Sequence, residues 1–530
     1  MPFESGGRAP AKVLWGLLLL PWLFPFAIGP SAWVLPWLST WLFVGLATVA
    51  SCCSIGWGGN ATIQNEELVS KSWLTAALLS CLIGLIQVSG HSNSFAPWVS
   101  PSGVGEAFAN LRQRNQFASL TTMGLLALIY LGRSWAGSKP QSTPWILAAA
   151  VFLGIGNAAS ASRTGLLQLV VVAAVFGIGW GSRVFIVRRV VLSAMGAYVM
   201  ATLLLPLLIG QDLGSGGILG RMAERPPSCQ SRLVLWDNVL TLIAQKPWLG
   251  WGWGELDYAH FVTLYPGEAS ARFCDILDNA HNLPLHLAVE LGVPLAALVC
   301  VVLTGLIIWL RPWREQNPAR QMAWGVLLVI GLHSLLEYPL WYGPFQIAVI
   351  LCVLILWQTH LRRGREDARF GESPADTSAT PVSGDSNKGS GQNVRYFQIC
   401  IALTATTLMA FCVYAIWDYH RISQIYRVPS ERSAAYRYNT LEKIRDSWLF
   451  QNHVQFAALT TTVVSPENAA YVHAQAQRLL HFSPEARVIE KLIDSALLLG
   501  LTDEAAFFKR RFQVAFPEAF AQWQARNASP

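Results

Sequence analysis

Residues 278–310, DNAHNLPLHLAVELGVPLAALVCVVLTGLIIWL, contain the pattern that decides the fold of this chain. The segment ends in a long apolar run that begins near Pro284, and a helix needs about 20 mostly apolar residues to cross a bilayer. Acidic residues and a His-Asn pair precede the run, and polar groups beside a membrane helix cost free energy unless they have partners. The sequence therefore predicts a membrane span at 284–310 with a polar site at its first end.

Apolar runs of similar length recur along the chain. Of its 530 residues, 53% are hydrophobic and 13% are charged, whereas soluble proteins carry about 25% charged residues. We predict an all-α polytopic membrane protein that contacts membrane lipids, with about 11 transmembrane helices at 12–29, 33–53, 72–89, 117–132, 144–160, 164–181, 187–209, 284–310, 321–337, 341–359 and 397–417. The net charge of +7 is explained by basic residues in the loops between spans, as is common in membrane proteins. We therefore expect no nucleic-acid partner.

The positive charges orient the predicted spans. Lys and Arg residues of the short loops are concentrated in alternate loops, and the opposite short loops hold only Arg112, Arg114 and Arg163. Because loops rich in Lys and Arg stay in the cytoplasm, we expect the N-terminus inside and the C-terminal region outside. The first run follows basic residues, as a signal peptide would, but no clean small-residue cleavage site follows it, so we expect it to be retained.

The spans and loops divide the chain into six regions. In order, these are an N-terminal transmembrane bundle (1–209), a large outer loop with short helices (210–283), further transmembrane helices (284–363), a cytoplasmic linker (364–396), the last transmembrane helix (397–417) and an outer soluble region (418–530). The linker is rich in Gly, Ser, Pro and Asp, which is typical of disorder. The last region has helical periodicity, and we expect stacked helical hairpins of the repeat-like kind.

Two of the nine cysteines, Cys229 and Cys274, lie in the large outer loop. The other seven lie in or beside predicted spans, where a small hydrophobic residue is the simplest interpretation. In an oxidising compartment the loop pair can form a disulfide, and the sequence leaves the bonded and the free state equally open.

A first polar cluster lies at the outer end of the fourth span, in NLRQRNQFASL (110–120). Gln113, Arg114 and Asn115 are unusual at a membrane surface and predict a polar shelf for a sugar or a phosphate. The alternative is an interfacial anchor whose arginines extend to the water layer.

A second cluster, SASRTGLLQLV (160–170), forms a tight outer hairpin. Ser162 and Arg163 lie near a helix N-terminus, where free N–H groups, the positive end of the helix dipole and a forked guanidinium all favour an anion. The alternative is a capping serine beside a surface arginine.

A third cluster is the outer-loop segment 231–261. Arg232 and Trp236 lie one turn apart on an amphipathic helix, which PWLGWGWG (247–254) then ends, and such a segment suits a membrane surface. The tryptophans fit an interfacial belt or sugar stacking, and the belt is the simpler interpretation for most of them. Arg232 is the residue that we expect to contact a ligand.

His281 lies at the outer end of the eighth predicted span. Asn282 is a good capping residue, and Pro284 suits a first helical turn. The positive helix end favours a neutral imidazole, which is the form that a general base needs. Small residues at Ala288 and Gly292 predict close helix packing that would hold His281 in place. The alternative is a capping or interfacial histidine.

A fourth polar set, HSLLEYPLWYGPF (333–345), follows the ninth span. His333 and Glu337 lie four residues apart, and Tyr338 is adjacent. His and Glu are both residue types that bind metals. However, no cluster of Asp, Glu, His or Cys at metal-binding spacing surrounds His333 and Glu337, so we expect no metal and no cofactor. We predict a hydrogen-bonded His333–Glu337 pair that orients a catalytic group.

The sequence has no P-loop, dinucleotide fingerprint or nucleophile elbow. Since no nucleotide is supplied outside the membrane, chemistry on that side needs a preactivated substrate. A lipid diphosphate-linked sugar fits, because its diphosphate would lie at the interface where the outer arginines cluster.

Several of these motifs resemble the O-antigen ligase and polymerase superfamily. They are Ser162-Arg163, Arg232-x-x-x-Trp236, Pro247-x-x-Gly250-x-Gly252, and His281-Asn282 followed after nine residues by Gly292. RQRNQFA (112–118), HSLLEYPLWY (333–342) and the soluble tail are similar to its bacterial protein O-oligosaccharyltransferase branch (the PglL type).

The resemblance implies transfer of a glycan en bloc from undecaprenyl diphosphate to a Ser or Thr hydroxyl of a periplasmic protein such as a pilin. It also implies a multi-pass protein of the bacterial inner membrane, with a periplasmic active site and no metal. For this reaction we assign His281 as the base, and Arg163 and Arg232 as the groups that neutralise the diphosphate.

The remaining residues of the predicted site have supporting roles. Gln113, Arg114 and Asn115 would shape the donor site together with Ser162. Glu337 and Tyr338 would orient His281 or bind the acceptor.

Three other functions are alternatives. An O-antigen ligase or polymerase that acts on a lipopolysaccharide core or another glycan would share the fold and the donor site, and the soluble tail favours protein acceptors over it. A transporter predicts broken helices and charges at the membrane midplane, whereas the polar residues here gather at one face. A scaffolding protein leaves the outer arginines without a role.

Overall fold

The structure is a computed structural model, which describes residues 8–27, 29–56, 65–138, 140–180, 184–212, 217–223, 228–266, 271–371 and 386–528. Regular secondary structure in these ranges is entirely helical. The first seven helices are α1 (Arg8–Leu23), α2 (Val34–Gly56), α3 (Glu66–Val88), α4 (Arg114–Ser138), α5 (Thr143–Ala159), α6 (Arg163–Ala174) and α7 (Phe185–Leu208). The next eight are α8 (Gly217–Ala223), α9 (Arg232–Gln245), α10 (Leu256–Val262), α11 (Leu283–Leu291), α12 (Val293–Leu310), α13 (Pro318–Ser334), α14 (Gly343–Gly371) and α15 (Ser386–Ser423). The last six are α16 (Thr440–Ile444), α17 (Gln451–Thr461), α18 (Ala469–Leu480), α19 (Ala486–Leu498), α20 (Thr502–Ala515) and α21 (Pro517–Ala528).

Among the described residues, 8 helical segments are long and apolar enough to cross a membrane. They are Val34–Ser54, Glu66–Val88, Arg114–Trp135, Arg163–Trp180, Phe185–Leu208, Val293–Arg314, Gly343–Arg362 and Tyr396–Tyr426. The all-helical, multi-pass character predicted from the sequence is therefore confirmed, whereas the predicted number of spans is not. The difference lies in α1, α5 and α13, which are shorter than the length of about 20 residues that spans a bilayer.

The predicted span at 284–310 is wrong in its first third, because the helix breaks at Gly292. This residue has a φ of 89°, in a region that is essentially restricted to glycine. α11 ends before the break, and only α12 continues as a candidate span. Just 6% of the apolar window that begins with α12 is buried inside the chain, as expected of a helix that faces lipid.

The segment 247–254 closes the end of α11. The backbone N–H of Trp251 donates to the carbonyl of Val289 at 2.8 Å, and that of Gly252 donates to the carbonyl of Glu290 at 2.9 Å. The last carbonyls of a helix have no partner within the helix, so these bonds satisfy groups that the break leaves open. The glycines of the Pro-x-x-Gly-x-Gly motif allow this close backbone approach.

Replacement of Gly292 by alanine should destabilise this packing. An added Cβ would lie 2.1 Å from the carbonyl oxygen of Trp248, and the backbone conformation alone costs a non-glycine residue about 1–3 kcal/mol. We expect a clearly lower melting temperature of the purified protein. Gly305→Ala in α12 is the control, because an added Cβ there meets nothing within 4 Å; equal melting of the two variants would contradict this interpretation.

A small apolar core joins α9, α10 and α11 into one unit, called here the loop subdomain. Leu235, Val239, Leu256, Ala280 and Val289 are among its buried residues. A disulfide between Cys229 and Cys274 links the segment before α9 to the segment before α11. Of the two states that the sequence left open, the structure has the bonded one.

The C-terminal helices α17–α21 pack as sequential neighbours around their own core and lie against the loop subdomain. Phe261 of α10 stacks on Phe508 of α20, with ring centroids 6.4 Å apart. His481 Nδ1 lies 2.7 Å from a carboxylate oxygen of Glu255. The chain reaches this region through α15. Helices extend into the predicted linker from both sides, to Gly371 and from Ser386, and its centre, 372–385, lies outside the described residues.

Candidate active site

Glu337 is the centre of a polar network at one end of the helix bundle. α13 ends at Ser334, and the chain then turns so that the Glu337 side chain is buried, with 7% of the residue exposed. Its carboxylate accepts hydrogen bonds from Arg232, from His281 and from Asn115. Four segments that are distant in sequence thus meet at one carboxylate.

His281 is held in a defined orientation beside this carboxylate. Its Nδ1 lies 2.8 Å from Glu337 Oε2. Because an ionised carboxylate only accepts hydrogen bonds, Nδ1 carries a proton, and in the neutral imidazole the lone pair is then on Nε2. The His281 backbone has a φ of 50° and donates its N–H to Asn279 Oδ1 at 2.9 Å. The ring is therefore prepared to accept a proton at Nε2.

Arg232 supplies the positive charge of the network. It is the first residue of α9, which Ser231 caps by accepting from the Val234 N–H at 3.2 Å. The guanidinium donates to Glu337 and to the carbonyl of Leu336. Burial alone would raise the pKa of the Glu337 carboxyl, but the hydrogen bond from His281 and the charge of Arg232 outweigh it and lower the pKa below its ordinary value. Glu337 is thus kept ionised.

Asn115 connects the carboxylate to α4 and α6. Its Nδ2 donates to Glu337 Oε1 at 3.1 Å, and its Oδ1 accepts from Ser162 Oγ at 2.6 Å. Ser162 in turn caps α6 by accepting from the Gly165 N–H at 2.9 Å. The hairpin serine is therefore part of the same network as His281.

Tyr338 lies edge-on to the imidazole, with ring centroids of Tyr338 and His281 5.0 Å apart. Burial, with the nearby Tyr342 and carboxylates, raises the pKa of the Tyr338 hydroxyl. The hydroxyl therefore stays protonated at neutral pH and remains a hydrogen-bond donor.

Three of the predicted site residues have other partners. Gln113 Oε1 accepts from the Gln116 N–H at 2.7 Å and so caps α4. Arg114 pairs with Glu106. Arg163 donates to the carbonyl of Arg221 in α8. The structure thus brings His281, Arg232, Glu337, Tyr338, Asn115 and Ser162 together, and gives Gln113, Arg114 and Arg163 contacts outside this group.

The predicted hydrogen-bonded pair of His333 and Glu337 is wrong. His333 Nδ1 lies 2.9 Å from Ser119 Oγ, inside the bundle. Glu337 lies beyond the end of α13, and its carboxylate binds His281 and Arg232 instead. The spacing of four residues aligns side chains only while the helix continues.

Two further residues support the site and were not assigned to it from the sequence. The Trp236 Nε1–H donates to the carbonyl of Ala280 at 3.1 Å. The Asn282 side chain donates to the carbonyl of Leu335 at 3.0 Å and accepts from the Leu285 N–H at 3.1 Å, which caps α11. Both fix the segment that carries His281. Their place in the Arg-x-x-x-Trp and His-Asn motifs was the available signal.

The disulfide fixes the same segment from its other side. Cys229 lies three residues before Arg232, and Cys274 lies seven residues before His281. Their Cα atoms are 5.4 Å apart. The bond therefore ties the two segments that carry the cation and the histidine.

Removal of this disulfide should destabilise the loop subdomain. The cysteines are separated by 45 residues, and loop-closure entropy for such a ring amounts to about 4 kcal/mol. We expect dithiothreitol to lower the melting temperature of the natural protein but not of a Cys229→Ser, Cys274→Ser double variant. Cys300→Ser in α12 is the control and should respond to reductant like the natural protein. A melting temperature that is insensitive to reductant would contradict the stabilising role.

Three family models match parts of the chain. One is described as O-Antigen ligase and matches residues 148–300, and one is described as Virulence factor membrane-bound polymerase, C-terminal, and matches residues 321–529. The third, Protein glycosylation ligase, matches residues 107–131. The first two matches contain Arg232, His281 and Glu337, and the third contains Asn115.

Two curated proteins of Acinetobacter baylyi (strain ATCC 33305 / BD413 / ADP1) are similar to this chain. A general O-oligosaccharyltransferase is 29% identical over 306 residues, which are 55% of this chain and 51% of the relative. A ComP-specific O-oligosaccharyltransferase is 24% identical over 306 residues, which are 57% of this chain and 54% of the relative. The chain thus spans about half the length of each curated relative. The resemblance predicted from the motifs is confirmed: this chain is similar to O-antigen ligases and to protein O-oligosaccharyltransferases.

Proposed function

We propose that this chain transfers a preassembled glycan from undecaprenyl diphosphate to Ser or Thr hydroxyls of a periplasmic, pilin-like protein. The observation that carries the proposal is the His281–Glu337 hydrogen bond beside Arg232, which combines a base with a cation. The names of the two curated relatives support a protein acceptor. The proposed location is the bacterial inner membrane, with the active site on the periplasmic side.

The proposed reaction is a direct displacement at the sugar. The acceptor oxygen attacks the anomeric carbon, the bond from this carbon to the diphosphate oxygen breaks, and the hydroxyl proton passes to His281 Nε2. Undecaprenyl diphosphate leaves with the electron pair. General-base catalysis of this kind contributes about 10²- to 10⁴-fold, and Glu337 stabilises the imidazolium that forms.

Arg232 is proposed to stabilise the leaving diphosphate. A guanidinium has five N–H donors, and the contacts with Glu337 and Leu336 use its two terminal nitrogens only in part. Its side chain is 41% exposed, so the remaining donors can reach a ligand. Charge that is positioned in advance where negative charge develops is commonly the largest catalytic contribution.

The donor site is proposed to extend from Arg232 toward the start of α6 and α4. Arg163 is exposed at the first position of α6, where free N–H groups favour an anion, and Ser162 precedes it. Gln113, Arg114 and Asn115 are proposed to shape the same site from the first turn of α4. Tyr338 is proposed to donate a hydrogen bond to the acceptor or to keep His281 in place.

The decisive experiment is co-expression with a lipid-linked glycan pathway and a candidate pilin. We expect the intact mass of the pilin to increase by the mass of one whole glycan. When the chain is omitted, the pilin should remain unmodified. Sequential addition of single sugars would contradict en bloc transfer.

A second candidate is an O-antigen ligase or polymerase that acts on a lipopolysaccharide core or a glycan. It is favoured by the match of residues 321–529, which include the C-terminal helices, to a model described as a membrane-bound polymerase. An unmodified pilin together with newly capped lipopolysaccharide, in the same experiment, would favour this candidate.

A further inference from the structure

Below the Glu337 network lies a second, parallel layer of polar side chains. The first layer runs Ser162–Asn115–Glu337. One turn deeper, the second layer runs Gln168–Ser119–His333, called here the lower layer. Both layers take one residue each from α6 and α4 and one from α13 or its end. Ser119 follows Asn115 by four residues, as Glu337 follows His333.

The lower layer is a continuous hydrogen-bonded unit. Ser119 Oγ lies 2.9 Å from His333 Nδ1 and accepts from Gln168 Nε2 at 2.9 Å. Gln168 Nε2 also lies 3.0 Å from the carbonyl of Val329 in α13. The unit therefore bonds α4, α6 and α13 to one another, through the three side chains and the carbonyl of Val329.

These side chains are buried inside the helix bundle. Ser119 and Gln168 are 0% exposed, and His333 is 1% exposed. A polar group without a partner at membrane depth costs several kcal/mol, so sliding or rotating one of the three helices breaks bonds that nothing replaces. A satisfied polar layer of this kind favours one register of the three helices more strongly than an apolar triplet does.

The lower layer is linked to Glu337 above it through the backbone. The backbone N–H of Glu337 donates to the carbonyl of His333 at 2.8 Å. The His333 ring also meets Phe345 of α14 edge-on, with centroids 5.7 Å apart. His333 lies in α13 one turn before Glu337 and contacts Ser119 of α4, so the packing of His333 against α4 sets where the Glu337 carboxylate lies relative to Asn115, His281 and Arg232.

We propose that His333 is a positioning residue for glycan transfer, which acts through Ser119 and Gln168 to hold Glu337 beneath His281. This inference rests on the proposed function. It assigns a role to a buried histidine that the reaction itself does not use, since His333 contacts neither His281 nor Arg232 through its side-chain hydrogen bonds.

The test compares His333→Leu with His333→Asn. Leucine fills the space without a polar atom, whereas asparagine keeps one near the position of Nδ1. A misplacement of about 1 Å at a reacting group costs about 10²-fold in rate, so we expect kcat of the leucine variant to fall about 10- to 100-fold, with KM for the lipid-linked donor nearly unchanged. The asparagine variant should recover most of the rate. Ser119→Ala should lower kcat in the same way as His333→Leu. It replaces His333→Leu as the test variant if His333→Leu folds poorly.

Measurement in a Glu337→Gln background separates positioning from general destabilisation. If His333 acts through the carboxylate, His333→Leu should add no further loss of kcat there, because coupled residues are not additive. His473→Leu is the matched control, since His473 is also buried and lies 3.4 Å from a serine hydroxyl, Ser495. It should lower the melting temperature without changing kcat per folded molecule.

Two results would overturn the inference while the proposed function stands. One is a natural-protein rate for His333→Leu per folded molecule; the other is an equal loss in both Glu337 backgrounds. A natural protein that transfers no glycan in the same assay would instead overturn the proposed function, and this inference with it.

Discussion

Replacing His281 with alanine should reduce kcat for glycan transfer by about 10²- to 10⁴-fold, the usual contribution of a general base. In the proposed reaction the hydroxyl proton passes to Nε2 of this imidazole, while Nδ1 is hydrogen-bonded to Glu337. The protein should still fold, because the His281 side chain is 26% exposed and is not part of an apolar core. Transfer is measured as the fraction of pilin that gains the glycan mass, per molecule of folded enzyme.

The backbone at His281 calls for a second variant. Its φ of 50° is tolerated better by asparagine than by alanine, so His281→Asn removes the base with less backbone strain. It should be as inactive as the alanine variant. His91→Ala, at an exposed histidine that contacts Ser89, should leave transfer unchanged. Full activity in either His281 variant would remove His281 as the base.

Glu337→Gln should lower kcat by about 10³- to 10⁴-fold, as expected when a base histidine is held in the wrong tautomer. Oε1 of Glu337 accepts from both Arg232 and Asn115. Both partners are donors, so the glutamine must turn its carbonyl oxygen toward them. Its NH₂ group then faces His281 Nδ1 and forces the proton onto Nε2, where the lone pair is needed.

Glutamine has nearly the same shape as glutamate, so Glu337→Gln tests the carboxylate more specifically than Glu337→Ala does. Glu337→Ala would also leave Arg232 without its carboxylate partner. The measured loss of activity would then combine an effect on catalysis with an effect on protein stability. Glu315→Gln is the matched control, because Glu315 is likewise paired with an arginine, Arg320, away from the network. Natural-protein rates for Glu337→Gln would show that the orientation of His281 by Glu337 is not required.

The apolar patterns of the sequence were sufficient for the helical class and for most spans, but not for the break at Gly292. Glycine occurs in many membrane helices, so nothing local distinguishes a tolerated glycine from a helix end. The deciding contact is with Trp248, more than 40 residues upstream, whose position depends on the fold of the loop subdomain. Local periodicity carries no information about such a contact.

The candidate site also could be predicted only in part from the sequence. His281, Arg232 and Glu337 were identified as functional candidates because each is a polar residue where polarity is costly. The contacts of these three residues with one another were not predicted. His333 was assigned to the wrong partner because its actual partner, Ser119, lies 214 positions away in the sequence. Arg114 illustrates the reverse case: it was predicted to be functional because the charge pattern assigned it to the outer side, yet it pairs with Glu106.

The convergence of four segments on Glu337 has a consequence for biosynthesis. Asn115, Arg232 and His281 are all synthesised before the carboxylate that they share. A nascent chain that has inserted as far as α12 thus presents a histidine with no fixed tautomer and an arginine with no counter-ion. Because the network closes only when the turn after α13 arrives, the arrangement of His281, Arg232 and Glu337 that carries the proposed function is complete only after α13 has been synthesised.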